Sequence, residues 1–236
     1  MTEYVKFLVY RYRPEDGKKG VYADYDVPVK KGMTVLDGLI YIKENLDPTL
    51  SVRFSCRMAI CGSCGMRVNG LEMLACHTQI LGLRRKHIIV EPMRNFPLLR
   101  DLVTDMTPLF MKQKALKTWL IRRDELEQEN PTIQYLQSEE ELGKYLQFTY
   151  CIQCGLCYSA CPVVSTFPAF LGPQSLMKVY RYFADSRDEV GRERVSFVDK
   201  FEGVWRCHFA GSCSAVCPKG VDPALAIQLL RREALK

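Results

Sequence analysis

Eleven cysteines in a chain of 236 residues are the side chains best able to do chemistry, and they are grouped. Cys56, Cys61, Cys64 and Cys76 fall in the first third. Cys151, Cys154, Cys157 and Cys161 follow a cysteine-free stretch over 77–150, and Cys207, Cys213 and Cys217 lie near the end. Nothing at the start reads as a secretion signal, because the apolar part of MTEYVKFLVYRY is short and RPEDGKKG follows it. No apolar run approaches the ~18 residues that a membrane span requires, so the chain is expected to have no transmembrane segment of its own. In a reducing compartment such cysteines stay thiols, which favours metal ligation over disulfides.

The first group reads Cys56-x4-Cys61-x2-Cys64, then x11 and Cys76, the plant-type spacing for a 2Fe–2S centre. Four thiolates must wrap two irons, and the bridging sulfides need backbone N–H donors close by. SCRMAICGSCGM supplies both, with Gly62 and Gly65 letting the main chain fold tightly around an inorganic core. The competing reading is a structural zinc site, which also takes four cysteines. Zinc sites usually pair two separate C-x2–4-C knuckles, and the x4 then x2 spacing argues against that.

Cys151-x2-Cys154-x2-Cys157-x3-Cys161-Pro162 is the bacterial ferredoxin run with its terminal Cys-Pro. Started from Cys207, the same template puts ligands at 210, 213 and 217 with proline next. Cys213, Cys217 and Pro218 are present, but position 210 is Ala210. In two-cluster ferredoxins the fourth cysteine of a run ligates the other cluster. One site then takes Cys151, Cys154, Cys157 and Cys217, enough for a 4Fe–4S cluster. The other takes Cys161, Cys207 and Cys213, which suits a 3Fe–4S cluster. The alternative for the third site is a 4Fe–4S cluster completed by water or another side chain.

Elements must hold these loops. Tyr4–Tyr12 and Val21–Val29 read as strands around a turn over 13–20, and Thr34 reads as the cap of a helix to about Asn45. Met66–Val68 and Leu71–Leu74 flank Asn69-Gly70, a two-residue hairpin signal, and His87–Val90 is a further strand. From Leu98 the pattern predicts helices over 98–106, 109–122, 138–147, 173–185 and 223–234, with 125–131 an exposed connection. The expected fold is α+β: an N-terminal β-grasp plant-type ferredoxin domain over 1–105, followed by a mostly α-helical bacterial-type ferredoxin domain over 106–236.

Other chemistry finds little support. The net charge of +6 is spread along the chain, and no basic run interleaves with aromatics, so nucleic acid is not an expected partner. No G-x-G-x-x-G opens a helix, and no P-loop or Ser/His/Asp arrangement is visible. His77 and His87 read as surface residues; His208, beside Cys207, reads either as packing on the cluster loop or as part of a site. A free ferredoxin and a zinc-stabilised interaction module are the rivals from other classes. The helical material over 95–147 exceeds what cluster binding requires, and eleven cysteines do not divide into zinc sites.

The chain resembles the iron–sulfur subunit of succinate dehydrogenase and quinol:fumarate reductase over nearly its whole length. The resemblance rests on SCRMAICGSCGM at 55–66, NFPLLRDLVTDM at 95–106, CIQCGLCYSACP at 151–162, DSRD at 185–188 and GVWRCHFAGSCSAVCPKGVDP at 203–223. It implies an FAD-bearing flavoprotein subunit as the seat of succinate or fumarate chemistry, with no catalytic residue on this chain. It also implies electron passage through 2Fe–2S, 4Fe–4S and 3Fe–4S clusters to a quinone. Membrane-anchor subunits would hold the chain on the inner face of the cytoplasmic or mitochondrial inner membrane. Pro162, His208 and Arg231 match positions in the quinone vicinity; Arg231 stands where fumarate reductases carry a lysine, and Thr166 where some members carry a tryptophan. Several stretches are closer to fumarate reductases and His208 to succinate dehydrogenases, while direction depends on cluster potentials, flavin and quinone.

Overall fold

The structure is a computed structural model, and it describes residues 3–17 and 19–236. The chain divides into two compact units: Met1–Met106 with Ile152–Ala160, and Thr107–Cys151 with Cys161–Lys236.

In the first unit β1 (Glu3–Arg11) and β2 (Val21–Val29) pair antiparallel. Alternation along β1 buries Val5, Phe7 and Val9 while Tyr4 stays exposed. Helix α1 (Val35–Tyr41) begins in a capping box, the Thr34 hydroxyl accepting from Asp37 N–H and the Asp37 carboxylate from Thr34 N–H. It continues as a π turn over Ile42–Leu46 and buries Val35, Leu36, Leu39 and Ile42. Strands β3 (Gly65–Val68) and β4 (Leu71–Leu74) form the expected hairpin. Asn69 and Gly70 both adopt positive φ (50° and 86°), as a primed turn requires. Strand β5 (His87–Glu91) runs parallel to β1 and antiparallel to β3, giving the order β2-β1-β5-β3-β4.

The segment read as a helix over 98–106 is instead a small hairpin, β6 (Leu98–Arg100) with β7 (Val103–Thr104). The turn is set from outside it. Asp101, with φ 46°, is fully buried, and its carboxylate accepts from Tyr12 N–H (2.9 Å), Ser51 N–H (2.8 Å) and Arg11 Nε (3.1 Å). One carboxylate thus fixes the end of β1 and the strand of chain that leads into the first cysteine loop.

The second unit is helical in short pieces. Helix α2 (Thr107–Ala115) stops well before the expected 122. Lys117 adopts φ 48°, and the carbonyls of Lys117 and Trp119 accept from the buried Arg194, which also pairs with buried Asp188. The exposed connection contains a five-residue helix, α3 (Glu125–Glu129). The helix read over 138–147 is split into α4 (Glu139–Gly143) and α5 (Leu146–Thr149) at the buried Tyr145. The chain passes into the first unit for α6 (Leu156–Ser159) and returns with α7 (Pro162–Thr166). Helices α8 (Pro173–Phe183), α9 (Glu193–Ser196), α10 (Ser212–Ala215) and α11 (Pro223–Ala234) follow. The core of this unit is the packing of α8 on α11, which buries Leu176, Met177 and Val179 with Ala226, Ile227 and Leu230.

Replacing Asp101 by alanine would strand the Tyr12 and Ser51 N–H groups and leave Arg11 short of a partner. Losing one member of a buried pair costs about 3–5 kcal/mol, so Asp101→Ala is expected to lower the denaturant midpoint of the first unit clearly. A midpoint unchanged by this substitution would show that the hairpin does not anchor the loop.

Candidate metal centres

The loop that carries Cys56 and Cys61 is wound so that its N–H groups face sulfur. Met58, Ile60 and Cys61 N–H all lie 3.2–3.5 Å from Cys56 Sγ. Ala59 N–H points to Cys76 Sγ at 3.3 Å and Cys56 N–H to Cys61 Sγ at 3.4 Å. This winding needs residues in the left-handed region, and Arg57 (57°), Ala59 (58°) and Gly62 (73°) occupy it. Successive N–H groups turned inward by such alternation make a cradle for anionic acceptors. On its other side Cys64 and Cys76 are buried at the start of β3 and just after β4, with Cys76 N–H 3.5 Å from Cys64 Sγ. The thiols differ sharply in acidity. Hydrogen bonds from the Ser63 hydroxyl and then from Cys56 N–H bring exposed Cys61 down to about 6, whereas burial pushes Cys64 up to about 12. A buried thiolate at Cys64 needs a cation beside it, which iron supplies. Among the described residues no three His, Cys, Asp or Glu side chains converge closely enough for a single metal ion. A two-iron core with bridging sulfides asks for something else: sulfurs spread around a polynuclear centre and N–H donors turned toward it, and this loop provides both.

Cys154 and Cys157 belong to the same unit, on the segment 152–160. Asn95 Nδ2 donates to the carbonyls of Tyr158 (2.9 Å) and Ser159 (3.0 Å), and Arg94 N–H to Ser159 Oγ (2.9 Å). Ser159 Oγ in turn donates to Glu72 Oε1 on β4 (3.1 Å), and Phe96 packs on Tyr158 with ring centroids 4.9 Å apart. These holders at 72 and 94–96 carry no metal chemistry of their own, and no spacing rule singles them out. They bring the two cysteine loops into contact: a Cβ on Gly62 would lie 2.8 Å from both Cα and Cβ of Cys154.

The third group repeats the second at the level of backbone. Gln153 (58°) and Gly155 (79°) have positive φ in the first run; Phe209 (55°) and Gly211 (72°) have it at the equivalent places in the second. Each run then enters a four-residue helix, α6 or α10. Ala210 therefore sits in a loop wound like that of Cys154 but offers no sulfur. Cys161, Cys207 and Cys213 converge on one recess, also lined by Pro162, Phe170, His208, Ala210 and Ile227. Phe209 N–H points to Cys207 Sγ at 3.4 Å. Burial pushes Cys213 up to about 11 and raises Cys161, while N–H groups of Val164 and Val163 at the start of α7 draw Cys161 back. Gln174 and Ser175 on α8, next to the recess-lining Pro173, are buried and their side-chain polar atoms have no protein partner. Buried polar groups rarely go unpaired. Pro162 and His208 are thus together at the recess, both exposed. Arg231 lies behind it, donating to the carbonyls of Val204 (2.9 Å), Trp205 (3.4 Å) and Cys207. His77 and His87 are exposed, as expected.

A β-grasp unit, a helical unit and two ferredoxin-type cysteine runs define an electron carrier of the multi-cluster ferredoxin class. Residues 6–111 match the family model of a 2Fe-2S iron-sulfur cluster binding domain and residues 147–221 that of a 4Fe-4S dicluster domain. The fumarate reductase iron-sulfur subunit of Mycobacterium tuberculosis is 47% identical over 228 residues, 97% of this chain and 92% of that protein. The succinate dehydrogenase iron-sulfur subunit of Coxiella burnetii is 37% identical over 233 residues, 98% and 97% of the two chains. A chain of the Mycobacterium smegmatis Sdh1 complex in the apo form superimposes with a TM-score of 0.87 at 27% identity, covering 99% of this chain and 96% of that one. The chain belongs to the family of fumarate reductase and succinate dehydrogenase iron–sulfur subunits, and its role is electron transfer in an oxidoreductase complex.

Gly62→Ala combines a positive φ with a contact that has no room for a methyl group. The backbone strain alone is worth about 1–2 kcal/mol. Gly32→Ala, at φ 90° with nothing within 4 Å, is the control that carries strain without the contact. Iron and acid-labile sulfide analysis is expected to show reduced two-iron content in Gly62→Ala alone. Equal contents in both variants would mean that the loop contact is not needed to hold the centre.

Proposed function

We propose that the chain holds three clusters and passes electrons between an FAD-bearing flavoprotein subunit and a quinone at membrane-anchor subunits. Cys56, Cys61, Cys64 and Cys76 hold the 2Fe–2S cluster; Cys151, Cys154, Cys157 and Cys217 hold the 4Fe–4S cluster; Cys161, Cys207 and Cys213 hold the 3Fe–4S cluster. When bound, these centres take up and release single electrons, which lets a two-electron flavin reaction be joined to a quinone. The chain's own contribution is to set ligand number, N–H donors and exposure at each centre, the levers on reduction potential.

The observation that carries the reading is the repeated winding of the two runs with Ala210 in the place of Cys154. A loop that had lost its cluster would be under no constraint to keep Phe209 in the left-handed region, a conformation that costs a non-glycine residue energy. Retaining the loop while removing one sulfur favours a cluster with one iron fewer. Pro162 and His208 on the exposed side of that recess are proposed to face the quinone, with Arg231 behind them. Exposed Phe209 and Trp205 on the same stretch suit an apolar partner. Among the described residues no helix is long and apolar enough to cross a membrane; attachment to the inner face of the membrane is proposed to run through the anchor subunits.

Electron paramagnetic resonance on the purified complex tests the partition. The oxidised complex is expected to show a 3Fe–4S signal, joined on mild reduction by that of the two-iron centre. Ala210→Cys is expected to abolish the oxidised signal by supplying a fourth thiolate and to lower the potential of that site. A wild-type complex with full iron content and no oxidised signal would overturn the three-thiolate assignment.

A further inference from the structure

The recess formed by Cys161, Cys207 and Cys213 has a cation at its back that neither the cysteine spacing nor the family resemblance points to. Lys112 lies on α2, and its Nζ donates to the carbonyls of Pro168 and Phe170, each at 2.6 Å. Phe170 is itself a wall of the recess and is 1% exposed. Lys112 therefore ties down the chain that runs on from Cys161 through α7, as Arg231 ties down Val204 and Cys207. The side chain is half-buried, so its charge is poorly screened. Burial lowers the pKa of Lys112 from its ordinary value, and two carbonyl acceptors at such short range oppose this by holding the ammonium form.

Held on the carbonyl of Phe170, the ammonium stands at a wall of the recess that the three cysteines line, and it attracts whatever negative charge their sulfurs share. A centre with three thiolate ligands becomes more negative on gaining an electron, so a fixed cation beside it favours the reduced form.

We propose that Lys112 is a positioning residue for the three-thiolate centre that holds the 161–170 segment and, through its charge, raises the reduction potential of that centre. The proposal rests on the assignment of Cys161, Cys207 and Cys213 to one cluster, which the wild-type oxidised signal tests separately and beforehand.

The test is a redox titration of the complete complex, following the oxidised three-iron signal in wild type, Lys112→Gln and Lys112→Arg, with the two-iron signal as internal reference. Lys112→Gln keeps a donor and removes the charge; it is expected to shift the reduction equilibrium about tenfold toward the oxidised form, about 59 mV for a one-electron couple. Lys112→Arg keeps the charge and is expected to titrate as wild type, and the two-iron centre is expected not to move in either variant. Equal potentials in all three proteins would overturn the proposal, as would equal shifts in Gln and Arg, which would make the effect one of shape. Lys112→Met is the second neutral variant should Lys112→Gln not assemble. Failure of both to retain the signal, with Arg retaining it at the wild-type potential, would make Lys112 a residue of cluster assembly and overturn its role in tuning.

Discussion

An iron–sulfur core presents sulfides that accept hydrogen bonds in all directions, and thiolate ligands that burial on its own would keep protonated. Both demands fall on the main chain around the cysteines. Backbone N–H groups are turned inward to meet the first demand, and that forces residues into the left-handed region. Arg57, Ala59 and Gly62 in the first loop, Gln153 and Gly155 in the second, and Phe209 and Gly211 in the third are where the chain meets this demand. Four of those seven are not glycine, and each such residue is held at a cost of order 1–2 kcal/mol. Much of the surrounding structure can be understood as the restraint that keeps these loops wound.

The restraints are of two physical kinds. In the first unit they are polar and buried: Asp101 gathers Tyr12, Ser51 and Arg11, and Ser159 links Arg94 N–H to Glu72. In the second unit long cations bind carbonyls. Arg194 takes those of Lys117 and Trp119, Lys112 those of Pro168 and Phe170, and Arg231 those of Val204, Trp205 and Cys207. Short helices end often, and each end leaves carbonyls that need donors. Lys and Arg side chains reach them, and in the case of Lys112 and Arg231 the carbonyls bound include those of Phe170 and Cys207, which line the cysteine recess. Structural support and electrostatic bias therefore come from the same residues.

What was legible in the sequence follows from how local each determinant is. Cysteine spacing is local, and so are the Asn69-Gly70 turn, the Thr34 cap and the amphipathic runs of α8 and α11; these were read with bounds that differ by a few residues. The misreadings are non-local. Leu98, Leu99, Leu102 and Val103 have a spacing that a helix would satisfy, yet Asp101 is drawn into a turn by partners 50 and 89 residues away. The helix read over 109–122 ends early because Arg194 captures two carbonyls from 75 and 77 residues further on. The membership of 152–160 in the first unit depends on Asn95 and Glu72, whose side chains give no sign of it in the sequence.

The two ferredoxin-type runs show how little needs to change to alter a centre. Their left-handed positions, short helices and Cys-Pro endings correspond one to one, and Cys154 against Ala210 is the difference that bears on metal. A sulfur can be removed from such a loop without unwinding it, because the winding is held by Asn95, Arg94 and Ser159 in one case and by Arg231 in the other, none of which is a ligand. Ligand number and loop geometry are thus set by separate residues. On the proposed partition, cluster type is chosen at position 210, whereas the electrostatic setting of the centre is chosen at positions such as Lys112 that the ligand pattern leaves free to vary. Two iron–sulfur subunits with identical cysteines can then differ in potential, and for this chain the place to look for the difference is the set of cations bound to the carbonyls of the cluster loops.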